Sequence, residues 1–312
     1  MIAFLFPGQG SQAVGMGRAF YESSAAAKAV FEEAGDALGF DLARLAFEGP
    51  ESELALTANT QPAVLTVSVA AAAAAAERGF RPAIAAGHSL GEYSALVVAG
   101  ALRFRDAVRV VRRRGEFMQE AVPVGTGAMA AIMGLDLAAV EAVCAEAAGG
   151  PDAIVEVANV NSPQQIVVAG HRPAVERAVA LAASRGGRKS VVLPVSAPFH
   201  CALMAPAAER LAAELAAVAV ADPTIPVVRN VDAGVTRTAA AVKPALLAQV
   251  ASPVRWTDCV RRLADEGATR FVEVGPGRVL TTLLRRILEG ARGASVETPA
   301  DLEKAIAEAG GA

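Results

Sequence analysis

Along the first 120 residues, short apolar runs alternate with longer stretches whose apolar positions follow a helical spacing. The run from Ile2 to Phe6 predicts a first strand. The run from Ala83 to Ala86 predicts another, leading through a turn into a helix at Glu92-Tyr93-Ser94-Ala95-Leu96-Val97-Val98. Such alternation is the signature of an α/β sheet with helices packed on its faces. Residues 126–196 follow a different order: strand (Ala128 to Met133), helix (Asp136 to Ala148), strand (Ile154 to Val160), strand (Gln165 to Ala169), helix (Pro173 to Ser184) and strand (Ser190 to Val195). This βαββαβ order is that of a ferredoxin-like unit, which can bury a small core of its own. The pattern then returns to helix (Leu203 to Ala217), a strand near Ile225 to Val228, and further helices. A strand from Thr269 to Val274 ends in the turn Glu273-Val274-Gly275-Pro276-Gly277, which opens a helix carrying Leu280 to Leu288.

The expected organisation is a large α/β subdomain with a parallel sheet, formed by residues 1–125 and 197–312, with a small ferredoxin-like subdomain, residues 126–196, inserted into it. A length of 312 residues suits either that arrangement or two ordinary domains. Hydrophobic residues make up 54% of the chain, yet no segment offers the roughly 18 uninterrupted apolar residues of a spanning helix. The run from Val64 to Ala76 is shorter and broken by Thr66 and Ser68, and it predicts a buried core helix. The N-terminus Met1-Ile2-Ala3-Phe4-Leu5-Phe6-Pro7 has no basic leader and no cleavage pattern, so the expected location is cytoplasmic, away from membranes. A net charge of −3 provides no broad basic field for nucleic acid. Cys144, Cys201 and Cys259 are odd in number and widely spaced, which suits buried side chains and supports neither a disulfide framework nor a metal site.

Candidate chemistry centres on Gly87-His88-Ser89-Leu90-Gly91, a serine between two glycines at the predicted strand-to-helix turn. Strand, sharp turn and helix are the context of a nucleophile elbow, so the large sheet is expected to be α/β-hydrolase-like. Glycine on either side allows the backbone to approach closely, and the Leu90 N–H at the helix start suits a developing oxyanion. The plainer alternative is a serine that only caps the helix. A serine hydroxyl needs a base, and histidine is the usual one. His88 lies beside Ser89, with its side chain expected to point away from it, and His171 follows a strand and is expected in a surface turn. His200, in Ser196-Ala197-Pro198-Phe199-His200-Cys201, lies where the chain re-enters the large subdomain, as a base or as a hinge residue without chemistry. In the helix from Asp106 to Ala121, Arg114 shares the apolar face with Ala107, Val110, Val111, Phe117, Met118 and Ala121. An inward guanidinium needs an anion, either an internal Asp or Glu or a substrate carboxylate gripped bidentately. The glycine-rich turn Phe6-Pro7-Gly8-Gln9-Gly10-Ser11-Gln12 lacks the lysine of a phosphate loop but can supply a backbone N–H near the strand ends, where open α/β sheets place their sites.

These landmarks, together with Thr60-Gln61-Pro62-Ala63, Gly91-Glu92-Tyr93-Ser94-Ala95-Leu96, Arg114-Gly115, Asn161-Ser162-Pro163 and Glu273-Val274-Gly275-Pro276-Gly277, run nearly end to end. In this order they resemble the malonyl-CoA:acyl-carrier-protein transacylases of fatty acid synthesis and are similar to the acyltransferase domains of polyketide synthases. The resemblance implies Ser89 as the acylated nucleophile, His200 as its base and the main-chain carbonyl of Gln249 as the group that orients the imidazole. It implies the N–H groups of Gln9 and Leu90 as the oxyanion hole and Arg114 as the binder of the malonyl carboxylate, with His88, Asn161 and Phe199 as further substrate contacts. Phe199 departs from many carrier-protein transacylases, which have a smaller residue before the histidine. In the related polyketide domains a phenylalanine there goes with malonyl over methylmalonyl selection.

The expected activity is therefore malonyl transfer from malonyl-CoA to the phosphopantetheine thiol of acyl carrier protein, with ping-pong kinetics, no cofactor and no metal. The expected protein is a free-standing monomer. A serine esterase or thioesterase would share the elbow and the base, and a polyketide-pathway acyltransferase would differ in its acyl-CoA or carrier. A non-catalytic carrier-binding protein is a further alternative that an intact serine and histidine disfavour. Arg185, Arg188, Lys189, Arg285 and Arg286 form either a docking patch for the acidic carrier or ordinary solvated surface.

Overall fold

The computed structural model describes residues 1–150, 153–195 and 197–310. In chain order its strands are β1 (Ile2–Phe6), β2 (Ile84–Gly87), β3 (Gly127–Met133), β4 (Val155–Ser162), β5 (Gln165–His171), β6 (Lys189–Val192), β7 (Val227–Val228), β8 (Val235–Thr236), β9 (Arg270–Val274) and β10 (Arg292–Val296). They form a six-stranded sheet in the order β10-β9-β1-β2-β7-β8 and a four-stranded sheet in the order β4-β5-β3-β6. The chain is thus mixed α/β, with one largely parallel sheet and one antiparallel sheet.

Strand periodicity explains how the larger sheet is covered on both faces. Ala3 and Leu5 of β1 point into one core with Ile84, Ala86 and Phe271, whereas Phe4 and Phe6 point into the other with Ala85, Val272 and Val274. β1 pairs in parallel with β2 and β9, β2 with β7, and β9 with β10; only β8 runs antiparallel, on β7. The C-terminal ends of β1, β2, β7 and β9 consequently open on one edge, and the loops there carry the chemistry. The helix Thr57–Glu77 packs beneath them, buried on nearly every side from Thr60 to Ala75. No helix among the described residues is long and apolar enough to cross a membrane.

In the smaller sheet every pairing is antiparallel. The helices Leu137–Ala147 and Arg172–Ser184 cover one face of it, sealing a core of Ile132, Val140, Val143, Ile166, Val168 and Val175. Asp136 starts the first of these helices by accepting the Ala139 N–H at 2.9 Å. β4 is tied to the segment before the helix Trp256–Asp265, where Val254 accepts the Val160 N–H and donates to Ala158 O, each at 2.9 Å.

The elements expected from periodicity are present with ends within three residues, such as β6, which ends at Val192 rather than Val195, except that the helix expected over Val64 to Ala76 begins seven residues earlier, at Thr57. The subdomain boundary expected at 196 falls on a residue outside those described. His171 is corrected: it is the last residue of β5, and its Nδ1 accepts the Ile154 N–H at 3.1 Å. β8, β10 and the helix Pro299–Gly310 were not anticipated. β10 is an edge strand whose residues Arg292 to Ser295 are only partly covered, so it lacks a strong apolar signal.

Candidate active site

Ser89 sits between the end of β2 and the helix Gly91–Val98 with a backbone φ of 52°, in the left-handed region that a residue with a side chain seldom adopts. Its neighbours make that turn possible. A Cβ on Gly87 would overlap the backbone of Gly91, and one on Gly91 would overlap Phe6 O. Asn230, just past β7, holds the turn from outside: its Oδ1 accepts the Ser89 N–H at 2.7 Å and its Nδ2 donates to Gly87 O at 2.8 Å. Strain at a half-buried serine supported in this way points to function.

His200 Nε2 lies 2.7 Å from Ser89 Oγ, and His200 Nδ1 lies 2.8 Å from the main-chain oxygen of Gln249. A carbonyl only accepts, so Nδ1 carries the proton and Nε2 is free to accept the serine proton. His200 also has a left-handed backbone, φ 61°, which turns its ring inward. Burial and then the Arg114 charge push its pKa down to about 3, so the imidazole is neutral at neutral pH and able to act as a base. His200 thus stands between Ser89 and a carbonyl acceptor, the arrangement a base requires.

Arg114 is 2% exposed. Its Nη1 donates to Gln61 Oε1 at 2.9 Å, and its Nη2 donates to Gln249 Oε1 at 2.9 Å and to Ser89 Oγ at 3.1 Å. Its Nε has no partner, and the Tyr93 ring lies 5.7 Å away. Among the described residues no carboxylate forms an ion pair with it; the internal Asp or Glu that could have explained its burial is replaced by neutral amides. Burial lowers its pKa, the mark of a cation without a full counter-charge. A carboxylate delivered beside Ser89 would supply that charge.

These groups face a cleft of about 580 Å³ between the two sheets. Gln9, Leu90, His88 and Phe199 line it from the larger sheet, and Met129, Asn161 and Val167 from the smaller. Leu90 precedes the helix Gly91–Val98, where main-chain N–H groups lack intrahelical acceptors, and it lines the cleft. His88 points away from Ser89 in one sense only: its Nε2 lies 2.8 Å from Asn161 Oδ1 and its ring packs 5.5 Å from Trp256, yet it still lines the cleft. Burial lowers its pKa, so it is a neutral contact that links the two sheets.

Three side chains at the centre went unread in the sequence: Glu92, Asn230 and the amide of Gln249. Gln249 was singled out for its carbonyl alone, and Asn230 carries no motif. The position of Asn230 two residues after an apolar run, at the mouth of a parallel sheet, was the available signal. Among the described residues no cluster of three or more His, Cys, Asp or Glu could hold a metal ion, and the three cysteines are buried and unpaired. The basic patch divides. Arg188, Lys189 and Arg286 share one shallow cavity with Gln164 and Gln165, whereas Arg185 pairs with Glu146 and Arg285 lines a separate cavity with Arg292.

The family model of the acyl transferase domain matches residues 3–304. A malonyl CoA-acyl carrier protein transacylase of Salmonella typhimurium is 50% identical over 307 residues, 98% of this chain and 99% of that protein. Its counterpart in Bacillus subtilis is 48% identical over 305 residues, covering 98% and 96%. Among solved structures, an acyl-carrier-protein S-malonyltransferase from Burkholderia pseudomallei superposes with a TM-score of 0.94 at 50% identity, covering 98% of this chain and 99% of that one. A malonyl-transacylase in complex with a type II PKS acyl-carrier protein gives 0.95 at 46% identity, covering 98% and 99%. With the elbow, the histidine and the buried arginine in place, the chain belongs to the acyl transferase domain family.

Proposed function

We propose that this protein moves a malonyl group from malonyl-CoA to the phosphopantetheine thiol of acyl carrier protein through an acyl-enzyme on Ser89, supplying extender units for fatty acid synthesis. The observation that carries the reading is Arg114, a buried guanidinium held by neutral amides and 3.1 Å from the Ser89 hydroxyl. Ser89 Oγ attacks the thioester carbonyl carbon while His200 Nε2 takes its proton. The N–H groups of Gln9 and Leu90 receive the charge that develops on the carbonyl oxygen, each such donor contributing roughly 3 kcal/mol. The carbon–sulfur bond then breaks, and His200 returns the proton to the leaving CoA sulfur. The carrier thiol repeats the steps: it gives its proton to His200, attacks the ester carbonyl, and Ser89 leaves with the proton.

Arg114 acts twice. Its fork grips the malonyl carboxylate, and that carboxylate offsets the positive charge that otherwise disfavours protonated His200. An acetyl group supplies no such anion and leaves the guanidinium unpaired. The reaction uses no cofactor or metal; malonyl-CoA and the phosphopantetheinylated carrier protein are substrates. We assign the work to a cytoplasmic monomer that binds neither nucleic acid nor membrane. Residues 126–196 serve as a ferredoxin-like subdomain, whose strand order β4-β5-β3-β6 suits that reading, set into an α/β-hydrolase-like subdomain of residues 1–125 and 197–312. His88, Asn161 and Phe199 contact the acyl chain or its thioester. Arg188, Lys189 and Arg286 meet acidic groups of the carrier, so their charge reversal should raise KM for carrier and spare Ser89 acylation.

Intact-mass spectrometry after brief exposure to malonyl-CoA, followed by phosphopantetheinylated carrier with its thiol free, tests the whole reading. A malonyl adduct that requires Ser89 and passes to the carrier supports it. An adduct lost to water makes the protein a thioesterase, and transfer only to a polyketide carrier moves it to that pathway.

A further inference from the structure

The transfer steps leave Glu92 without a task. It is the second residue of the helix that follows the elbow, 2% exposed, and a buried carboxylate is costly unless hydrogen-bonded. Its Oε2 accepts two bonds, from Gln249 Nε2 at 2.7 Å and from the Asn230 N–H at 3.0 Å. Both partners lead directly to the reacting pair. Gln249 presents its main-chain oxygen to His200 Nδ1, its Oε1 to Arg114, and its Nε2 also to Ser89 O at 3.0 Å. Asn230 accepts the Ser89 N–H and donates to Gly87 O, clamping both sides of the strained turn. One carboxylate oxygen therefore stands a single residue away from Ser89, His200 and Arg114 together.

We propose that Glu92 is a positioning residue for acyl transfer, whose carboxylate holds Gln249 and Asn230 so that Ser89 and His200 meet in reacting geometry. The inference rests on reading Ser89 and His200 as that pair. Its physical basis is the count of donors: the Gln249 amide and the Asn230 N–H both point at one spot, and only an acceptor oxygen satisfies them there. An apolar residue at 92 leaves the Asn230 N–H unpaired, removes the shortest of the bonds made by Gln249 Nε2, and loosens the residue that carries the His200-orienting carbonyl. A displacement of about 1 Å at such a site costs on the order of 10²-fold in rate.

The test measures how fast a fluorophosphonate labels Ser89, with kcat and KM for malonyl-CoA in parallel and thermal unfolding as a control. Glu92→Leu, similar in volume but without an acceptor, is expected to label about 10²-fold more slowly and to lose kcat by a similar factor. KM for malonyl-CoA should move much less. Glu92→Gln keeps one acceptor oxygen and should recover about tenfold or more of that loss. A folded Glu92→Leu protein that labels within about threefold of wild type overturns the proposal, as does a Glu92→Gln protein no faster than Glu92→Leu. If Glu92→Leu does not fold, Gln249→Met takes its place, since it removes the amide that Glu92 holds and keeps the main-chain carbonyl. Its labelling should fall about tenfold or more, and near-wild-type labelling again overturns the proposal. Fluorophosphonate needs no acyl-CoA, so a wild-type protein that labels at Ser89 but takes up no malonyl group counts against the malonyl reading alone.

Discussion

The core of the small antiparallel sheet and the surroundings of Ser89 are buried to a similar depth and made of opposite materials. Ile132, Val140, Val143, Ile166 and Val168 fill the first, all in regular strand or helix and all apolar. The second collects Glu92, Arg114, His200, Asn230 and Gln249, none more than 4% exposed, around two residues with left-handed backbone. Apolar burial is non-directional, so loss at one position is shared among neighbours. A polar cluster in low dielectric depends on each donor meeting its acceptor. The same size of substitution should therefore cost stability in the small sheet and chemistry at the elbow.

The largest effect should come from His200→Ala. Without a base at 2.7 Å, Ser89 keeps its proton, and acylation by malonyl-CoA should fall by about 10³–10⁴-fold in a stopped mass-spectrometric time course. A loss below about tenfold would mean that another group takes the proton. Arg114→Ala comes next. It should lower kcat/KM for malonyl-CoA by roughly 10³-fold, the equivalent of about 4 kcal/mol for one partner of a buried ion pair, while acetyl-CoA is used as well as before or better. Parallel losses for both donors would assign Arg114 to holding Gln61 and Gln249 rather than to selecting substrate.

The two regions also differ in how far they could be read in advance. The single strands and helices that make up the βαββαβ order, the elbow and the inward face of Arg114 are local patterns, each visible within a short window of sequence. Ser89, His200 and Arg114 each sit in their own short motif, and the fold brings the three within hydrogen-bond distance. The polar net was not legible in this way, because Ser89, Asn230 and Gln249 are separated by 141 and 160 positions along the chain and only the sheet brings them together. The five cations do not share one cavity for the converse reason: neighbours in sequence, Arg285 and Arg286, leave their helix toward different cavities.

The small sheet offers the reverse experiment. Val168 is fully buried in β5 and faces away from the cleft that its neighbour Val167 lines. Val168→Ala should cost about 2 kcal/mol of unfolding free energy in urea and leave Ser89 acylation unchanged. A matching loss of acylation would show that the small sheet positions the site through its packing.

The smallest effect separates the two charges of the polar net. In the unfolded chain His200 titrates near its ordinary 6.5 and in the folded protein at about 3, so between these values the unfolded chain holds the extra proton. Stability from this residue is complete above 6.5 and is lost as pH falls toward 3. Glu92 behaves oppositely: burial raises it from 4.5 to about 7, the folded protein holds the extra proton, and its contribution is complete below 4.5 and lost as pH rises through 7. Each slope reaches about 1.4 kcal/mol per pH unit. From 4.5 to 6.5 they oppose each other, so urea midpoints of the wild-type protein should change little across that window. Removing one group exposes the other. His200→Ala should become less stable as pH rises from 4.5 to 7, and Glu92→Gln should become less stable as pH falls below 6.5. Flat profiles in both variants would mean that neither group is shifted by burial, and that the elbow is wetter than the cleft geometry implies.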